Sequence, residues 1–379
     1  DEAYTALSGD DKEVAKALKK QNKADLKSWR QIAGGDLLTQ AGLAAQAVSV
    51  ETLDDDTPEH LAAKRRAWSQ AEADAQRSTF ARLADTYVAA FLAPKLADAG
   101  DTVPLSGYLW GVLSGQAPRP AVEVAAQALC RQHSVFHWWL AFPQVASKGG
   151  FSVMLGNPPW ERIKLQEEEF FATRSPLVAM AKNKAERAQR IEWLREGVLL
   201  HRVNPDLERA EGLTPPNRAE MALYASFIAA RRGAEAASLY AHDSRRYPLT
   251  GVGDVNTYAL FAETLLQATG SMGRAGFIVP TGIATDDSTK AYFWHIASSS
   301  RLESLYSFQN REGLFPAVGT LITFSLLTLG AAPQAEFVCF ATQVEHLLEA
   351  RRRFTLAPDE FSLINPNTRT CPVFRSERD

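Results

Sequence analysis

A continuous apolar run, Phe151-Ser152-Val153-Met154-Leu155-Gly156, stops at Asn157-Pro158-Pro159-Trp160. Proline has no N–H for a strand ladder and fixes φ, so two in succession end whatever the run was forming. A short apolar run closed in this way reads as a buried strand that stops at a rigid, polar, aromatic-tipped loop. Such a loop is shaped to hold a planar, amine-bearing group against a methyl donor. The plain alternative is a proline turn after a strand, because Asn before Pro is ordinary turn chemistry.

At 379 residues, 46% apolar and 9% aromatic, the chain exceeds one average domain and can fill a sizeable core. A formal net charge of −3 excludes a global polycation. Any contact with nucleic acid therefore comes from a local patch or from sequence outside this chain. Cys130, Cys339 and Cys371 are far apart, with no CxxC pair and no metal-ligand spacing. Buried or idle thiols in a reducing cytoplasm are the expectation. No apolar stretch approaches the roughly 18 residues of a membrane span, and no signal peptide is visible. The chain starts without methionine, in mid-element, which suggests a piece of something longer.

Residues 1–135 read as a helical segment. Asp10 or Asp11 caps a helix running to Trp29, and Thr57 with Pro58 opens a stretch free of Gly and Pro until Pro94. Phe80, Leu83, Tyr87 and Phe91 form a stripe at helical spacing there, and Lys64, Arg65, Arg66, Glu72, Asp74 and Arg77 a solvated face. A further helix covers Ala121 to Gln132. The character changes at the aromatic cluster Phe136-His137-Trp138-Trp139-Leu140-Ala141-Phe142-Pro143, followed by Gly149-Gly150 and the strand. A polar helical stretch from Gln166 to Gly197, a loop with Pro205, Pro215 and Pro216, and a helix from Ala219 to Arg232 capped by Asn217 make a helical insertion over 166–245. Alternation then returns: a helix over Val255 to Ala268, a short buried strand over Ala275 to Pro280, a helix over Asp287 to Ser298, and strands at Leu302 to Phe308, Leu321 to Leu329 and Glu336 to Ala341. Residues 346–379 read as an irregular linker. The order β-α-β-α-β-β predicts an α/β fold, the second half of an open sheet with an antiparallel edge.

The chemistry centres on the loop. Adenine N6 is a poor nucleophile because its lone pair is delocalised into the ring. If a side-chain amide oxygen and a backbone carbonyl each accept one N6–H, the nitrogen is pushed toward tetrahedral geometry and its lone pair can face a methyl sulfonium. Asn157 Oδ1 and the Pro158 carbonyl suit this task, with Pro159 stiffening the backbone behind them. Neither is a general base at neutral pH, so the rate rests on positioning and electrostatics. Trp160 offers a face for a base swung out of the duplex; packing as core is its bland reading. His133 and His137, one turn apart, read as packing beside Trp138, Trp139 and Phe142 more readily than as metal ligands, and no metal site is expected. Arg245-Arg246-Tyr247 reads equally as a phosphate contact or a solvated loop. Pro205-Asp206 with Glu208 lacks the Glu-x-Lys spacing of a nuclease and reads as a loop.

The Asn157 to Trp160 segment resembles motif IV of the amino-methylating DNA methyltransferases, Asn/Asp/Ser-Pro-Pro-aromatic. Further stretches resemble the γ-class N6-adenine DNA methyltransferases of large type IIG restriction–modification enzymes and of class 1 DISARM or BREX-like phage defence. Phe136-His137-Trp138 to Phe151 resembles their lead-in, and Gly156 to Phe171 resembles motif IV with its following helix. Tyr247 to Phe261 is similar to motif V, Gly276 to Asp286 to motif VI, and Phe315-Pro316 with the strand ending at Leu329 to motif VIII. The resemblance covers about residues 136–330. It implies the second half of a Rossmann-like S-adenosylmethionine-dependent methyltransferase sheet, with 136–345 as its catalytic half. It implies site-specific adenine-N6 methylation of double-stranded DNA in a restriction–modification or anti-phage system, alongside a defence helicase or nuclease, in the bacterial cytoplasm near the nucleoid and off the membrane.

On that reading Asn157, Pro158, Pro159 and Trp160 are catalytic. Trp160, Tyr258, Pro280 and Phe315 line the base pocket, and Asn157 and Tyr258 reach the cofactor. The pattern is departed from in three places. No glycine-rich motif I follows a strand in residues 1–150, where Gly34-Gly35, Gly100, Gly107 and Gly111 sit in helical or loop context. Motif I and the first strands are therefore expected upstream, and a target-recognition region beyond residue 379. Ala141 and the run Ala317 to Leu321 also replace more polar residues of the family. A methyltransferase acting on a protein glutamine or an RNA base, and a non-catalytic helical interaction module, are the rival readings.

Overall fold

The computed structural model describes residues 1–29, 41–99, 101–204 and 215–374. Gly34-Gly35, Gly100 and the Pro205 to Glu208 stretch lie outside them. The first part is helical: α1 (Lys12–Trp29), α2 (Ala41–Glu51), α3 (Pro58–Arg77), α4 (Thr79–Leu92), α5 (Ser106–Leu113) and α6 (Pro120–Gln132). Thr57 caps α3 by accepting from His60 N, with Pro58 in the first turn. The stretch free of Gly and Pro is nevertheless two helices. Ser78 adopts an extended backbone, closes α3 through its N–H to Ala75 O, and opens α4 by accepting from Ala81 N. A serine that satisfies the open groups of both ends breaks a helix without proline. In the α4 stripe Leu83 and Phe91 are buried, whereas Tyr87 is 41% exposed and reaches out to donate to Ser244 O at 2.7 Å.

Two short turns, α7 (Trp138–Ala141) and α8 (Pro143–Ser147), lead to β1 (Phe151–Gly156). Gly150 has φ +126, and a Cβ there would meet Ala268 O and Gly270 N at 2.6 Å, so only glycine lets the chain enter the sheet at this point. The insertion that follows holds α9 (Glu167–Ala172), α10 (Pro176–Ala179), α11 (Lys184–Glu196), α12 (Leu199–Val203) and α13 (Arg218–Asp243). The polar stretch is thus three helices, divided by the caps Ser175 and Asn183. α13 runs 26 residues, past Gly233 and well beyond the expected end at Arg232. Its second half buries Ala236 against Val88, Leu92 and Cys130 of α4 and α6, and that packing outweighs the roughly 1 kcal/mol a mid-helix glycine costs.

Next come α14 (Thr257–Ala268), β2 (Thr269–Pro280), α15 (Gly282–Thr285), α16 (Lys290–Ser298), β3 (Leu302–Gln309), β4 (Thr323–Leu329), β5 (Ala335–Ala341), β6 (Phe354–Leu356) and α17 (Pro358–Ile364). The fold is mixed α/β, with one six-stranded sheet in the order β1-β2-β4-β3-β5-β6. β1–β2 and β3–β5 pair in parallel; β4 is antiparallel to both neighbours and β6 antiparallel to β5. An antiparallel edge exists in β6, but the expected antiparallel strand β4 lies inside, wedged between β2 and β3. The 346–379 stretch is likewise no irregular linker through residue 374, since β6 and α17 close the sheet there.

Alternation along β2 shows the two faces. Ala275, Phe277 and Val279 are fully buried beneath α14, α16 and α17, in one core with Tyr292, Phe293, Ile296, Leu305, Phe337 and Phe361. Among the described residues the opposite face is covered near β3, β4 and β5, where Phe308, Phe324, Val338 and Ala341 gather Trp160, Ile278 and Leu347 around them. The run that opened the sequence reading departs most from expectation. β1 is an edge strand among the described residues, with Val153 72% and Leu155 87% exposed. Its apolar run calls for cover on both faces, and the described residues supply it only under Met154 and at Phe151, which packs edge-on against Trp138 and Phe142. Phe361 is 1% exposed and sits edge-on to Phe293 and Phe337. Phe361→Ala is therefore expected to cost about 3–5 kcal/mol in urea unfolding; a loss under about 1 kcal/mol would mean that the C-terminal helix is not part of the cooperative core.

Candidate functional site

Parallel pairing puts the carboxyl ends of β1, β2, β3 and β5 at one edge of the sheet, where open α/β sheets place their ligands. Gly156 is held opposite Phe277, and the chain leaves the ladder at Asn157. Asn157 is exposed, Pro158 buried, Pro159 exposed and Trp160 half-buried. Among the described residues no protein group donates to Asn157 Oδ1 or to the Pro158 carbonyl. Two acceptors are thus left free at consecutive positions of a stiff backbone.

The loop is pinned on its far side by a residue that the sequence reading missed. Thr257 Oγ1 donates to Pro159 O at 2.8 Å, shares Glu161 O at 3.1 Å, and accepts from Glu161 N at 3.0 Å. Thr257 N closes the same pair onto Glu161 O at 2.9 Å. A single bridge between Arg162 and Asn256, an Arg162–Asp254 ion pair at 3.3 Å, and Ile163 N donating to Val255 O at 3.3 Å extend the clasp. Asn256 then caps α14, accepting from Tyr258 N. One short segment, 254–258, therefore starts a helix and fastens the loop. The only sequence signal was the capping Asn256 beside a hydroxyl residue, since the partners lie 96 and 98 positions away.

Trp160 Nε1 points to Ile278 O at 3.4 Å, and the indole packs against both sheet cores. Pro280, the last residue of β2, is half-buried and pairs with Phe324. Phe315, 41% exposed, lies edge-on to Phe324 at 5.1 Å. Its loop is clamped by the fully buried Asn310, whose Nδ2 donates to Phe315 O (3.0 Å) and Val318 O (2.8 Å) and whose Oδ1 accepts from Phe315 N (2.9 Å). Trp160, Pro280 and Phe315 thus meet around the Phe324 cluster. Tyr258 is different: it is 7% exposed inside the helix-covered core, and burial, with a smaller push from the Asp286 carboxylate, raises its phenol above the ordinary range.

A buried acid steadies the neighbouring segment. Glu263, 0% exposed, accepts from Leu249 N, Thr250 N, Thr250 Oγ1 and Gln267 Nε2, tying residues 247–251 to α14. His137 Nε2 meets Asp85 Oδ1 at 2.9 Å, while burial lowers the His133 pKa and favours its neutral form. For S-adenosylmethionine the described residues are a poor fit. Gly149 and Gly150 precede β1 instead of following a strand, no described strand runs into a Gly-x-Gly turn and a helix, and Tyr258 faces the core. The arrangement leaves two acceptors open; it does not by itself cradle a nucleoside donor.

Thr257→Val should keep the fold but free the Glu161 amide. Its hydrogen exchange should accelerate about tenfold, in line with a bond worth about 1 kcal/mol, and an unchanged rate would show that the clasp does not depend on the hydroxyl. No protein-family model matches the chain, and no curated protein matches it. One solved chain, described with complex assembly and conformational transition of the type I R-M system, is similar at 10% identity, covering 96% of this chain and 92% of that one, with a TM-score of 0.26. A superposition that loose carries no weight for fold or activity.

Proposed function

We propose that the loop after β1 grips the exocyclic amine of an adenine for N6 methylation of DNA. The observation that carries this reading is the pair of acceptors at consecutive positions, Asn157 Oδ1 on an exposed residue and the carbonyl of the buried Pro158, without a protein donor among the described residues and fixed by the Thr257 clasp. An amine with two N–H groups is the complement of two adjacent acceptors. Accepting both hydrogens withdraws the nitrogen lone pair from the ring, which is the activation an amide-like amine needs. Trp160, anchored through its indole N–H, and Phe315 on its clamped loop supply aromatic surface for a base taken out of the stack.

The chain's contribution is posture. The side chains of Asn157, Pro158, Pro159 and Trp160 include no acid or base, so the proton leaves N6 once the new bond has made the nitrogen acidic, and solvent is an adequate acceptor. S-adenosylmethionine, the donor the family resemblance implies, would supply the electrophilic methyl; its cradle is not among the described residues. Site-specific action on duplex DNA, within a restriction–modification or phage-defence system, belongs to the same proposal.

Two outcomes follow. In cells carrying the natural gene, genomic DNA digested to nucleosides should contain N6-methyladenine by mass spectrometry. Asn157→Ala, made at equal protein level, should lower it by at least about a hundredfold, the usual scale for deleting one fixed polar contact to a reacting group. Methylation that survives the substitution would refute the role of Asn157. Calorimetry of the 379-residue chain with S-adenosylmethionine should show weak binding or none; tight binding would mean that a cradle exists here after all.

A further inference from the structure

Behind the Asn157 loop lies a cleft of about 840 Å³ between α4, the 133–140 segment, the end of α13 and α14. We propose that this cleft is a binding site for a nucleoside phosphate unit, either free or within a single strand of nucleic acid. The inference does not rest on the adenine reading of the loop.

Charge is the first ground. The chain has 44 acidic residues against 41 Lys and Arg, yet the cleft wall contains Arg245, Arg246, His133 and His137 and no Asp or Glu. His137 is balanced from behind by Asp85, and His133 is held toward its neutral form by burial, so the positive charge rests on the two arginines. Among the described residues neither arginine forms an ion pair; Arg246 instead lies over the Tyr247 ring at 5.5 Å. The negative end of the α13 dipole favours a cation at this place, but it does not explain the absence of every carboxylate from the wall.

Aromatic surface is the second. Phe136 is 56% exposed, Phe261 41% and Tyr87 41%, and all three line the cleft. Phe136 stands edge-on to Trp138 at 5.2 Å, and Tyr87 is fixed by its hydroxyl to Ser244 O, so these rings are preset. Rigid rings beside unpaired arginines are what stacking of a base and neutralisation of its phosphate require.

Backbone strain is the third. Arg245 has φ +61, in the left-handed region that a non-glycine residue adopts only under strain. Ser244 Oγ accepts from Arg246 N, and Gln267 Nε2 donates to Arg246 O, which holds the two arginines in this turn at the cleft. The cleft also backs onto the proposed amine grip, because Thr257 belongs to its wall and carries the hydroxyl bonded to Pro159 O.

The test is fluorescence anisotropy of a labelled oligothymidylate with the whole chain and no methyl donor, competed by thymidine monophosphate, thymidine and inorganic phosphate. Saturable binding, competed by the monophosphate far better than by thymidine or phosphate, supports the site. If the monophosphate binds as tightly as the strand, the ligand is a free nucleotide; if the strand binds much more tightly, it is nucleic acid. Arg245→Gln with Arg246→Gln should weaken binding about tenfold or more and flatten the salt dependence by roughly 0.7 per arginine lost. Phe136→Leu should weaken it about tenfold while leaving the salt slope unchanged. No saturable binding, equal competition by inorganic phosphate, or undiminished binding by the double arginine variant with an unchanged melting temperature would each overturn the proposal. Because no methylation is read, the result is independent of whether Asn157 holds adenine.

Discussion

Parallel pairing of β1 with β2 determines where everything at the site can stand. With Gly156 opposite Phe277, the next residue leaves the sheet beside Ile278, and the indole of Trp160 reaches back to that residue's carbonyl. The prolines then forbid further pairing, so Asn157 and the Pro158 carbonyl remain unclaimed at the sheet's end. A one-residue slip would turn Met154 out of the helix-covered core and carry Asn157 to the other face. The register is protected from that slip at its start by Gly150, which alone fits against the beginning of β2.

The clasp built on Thr257 converts a strand end into a fixed loop. Its hydrogen bonds are individually modest, but they join two segments that are adjacent only in the folded state, and they tie the loop to the first turn of a helix buried in the main core. Movement of the loop therefore requires either breaking the clasp or shifting α14. The same helix carries Glu263, which holds the 247–251 segment, and Phe261 and Thr257 on the cleft wall. α14 is thus the element through which loop, cleft and core share one frame.

How much of this could be read in the chain follows the range of the interactions. Capping residues were legible at Thr57 and Asn217, because each satisfies donors within three positions, whereas Asn256 was read as part of a helix starting at Val255 and is in fact its cap. Ser78 was not: nothing local distinguishes a serine that divides two helices from one that decorates a single helix. The end of α13 was misjudged because Gly233 is a weak breaker once α4 and α6 press on the turns beyond it. Strand order lay further out of reach. The β3–β4 turn could have placed β4 at an edge, and only β2's unpaired side drew it inward. At the site, Asn157 to Trp160 were visible as chemistry and Phe315 through the family resemblance alone, whereas Thr257 and Asn310, which position them, were not. Their hydrogen bonds join positions whose proximity the sequence does not display.

β1's place in the strand order has a further meaning for traffic at the loop. Among the described residues β1 has a neighbouring strand on one side only, so Asn157 stands at a corner of the sheet, with Trp160 and β2 on one flank and no strand on the other. Corners are poor at excluding water and good at admitting large objects. A group that meets the loop can arrive in the plane of the sheet, from beyond β1, without any strand among the described residues having to swing aside.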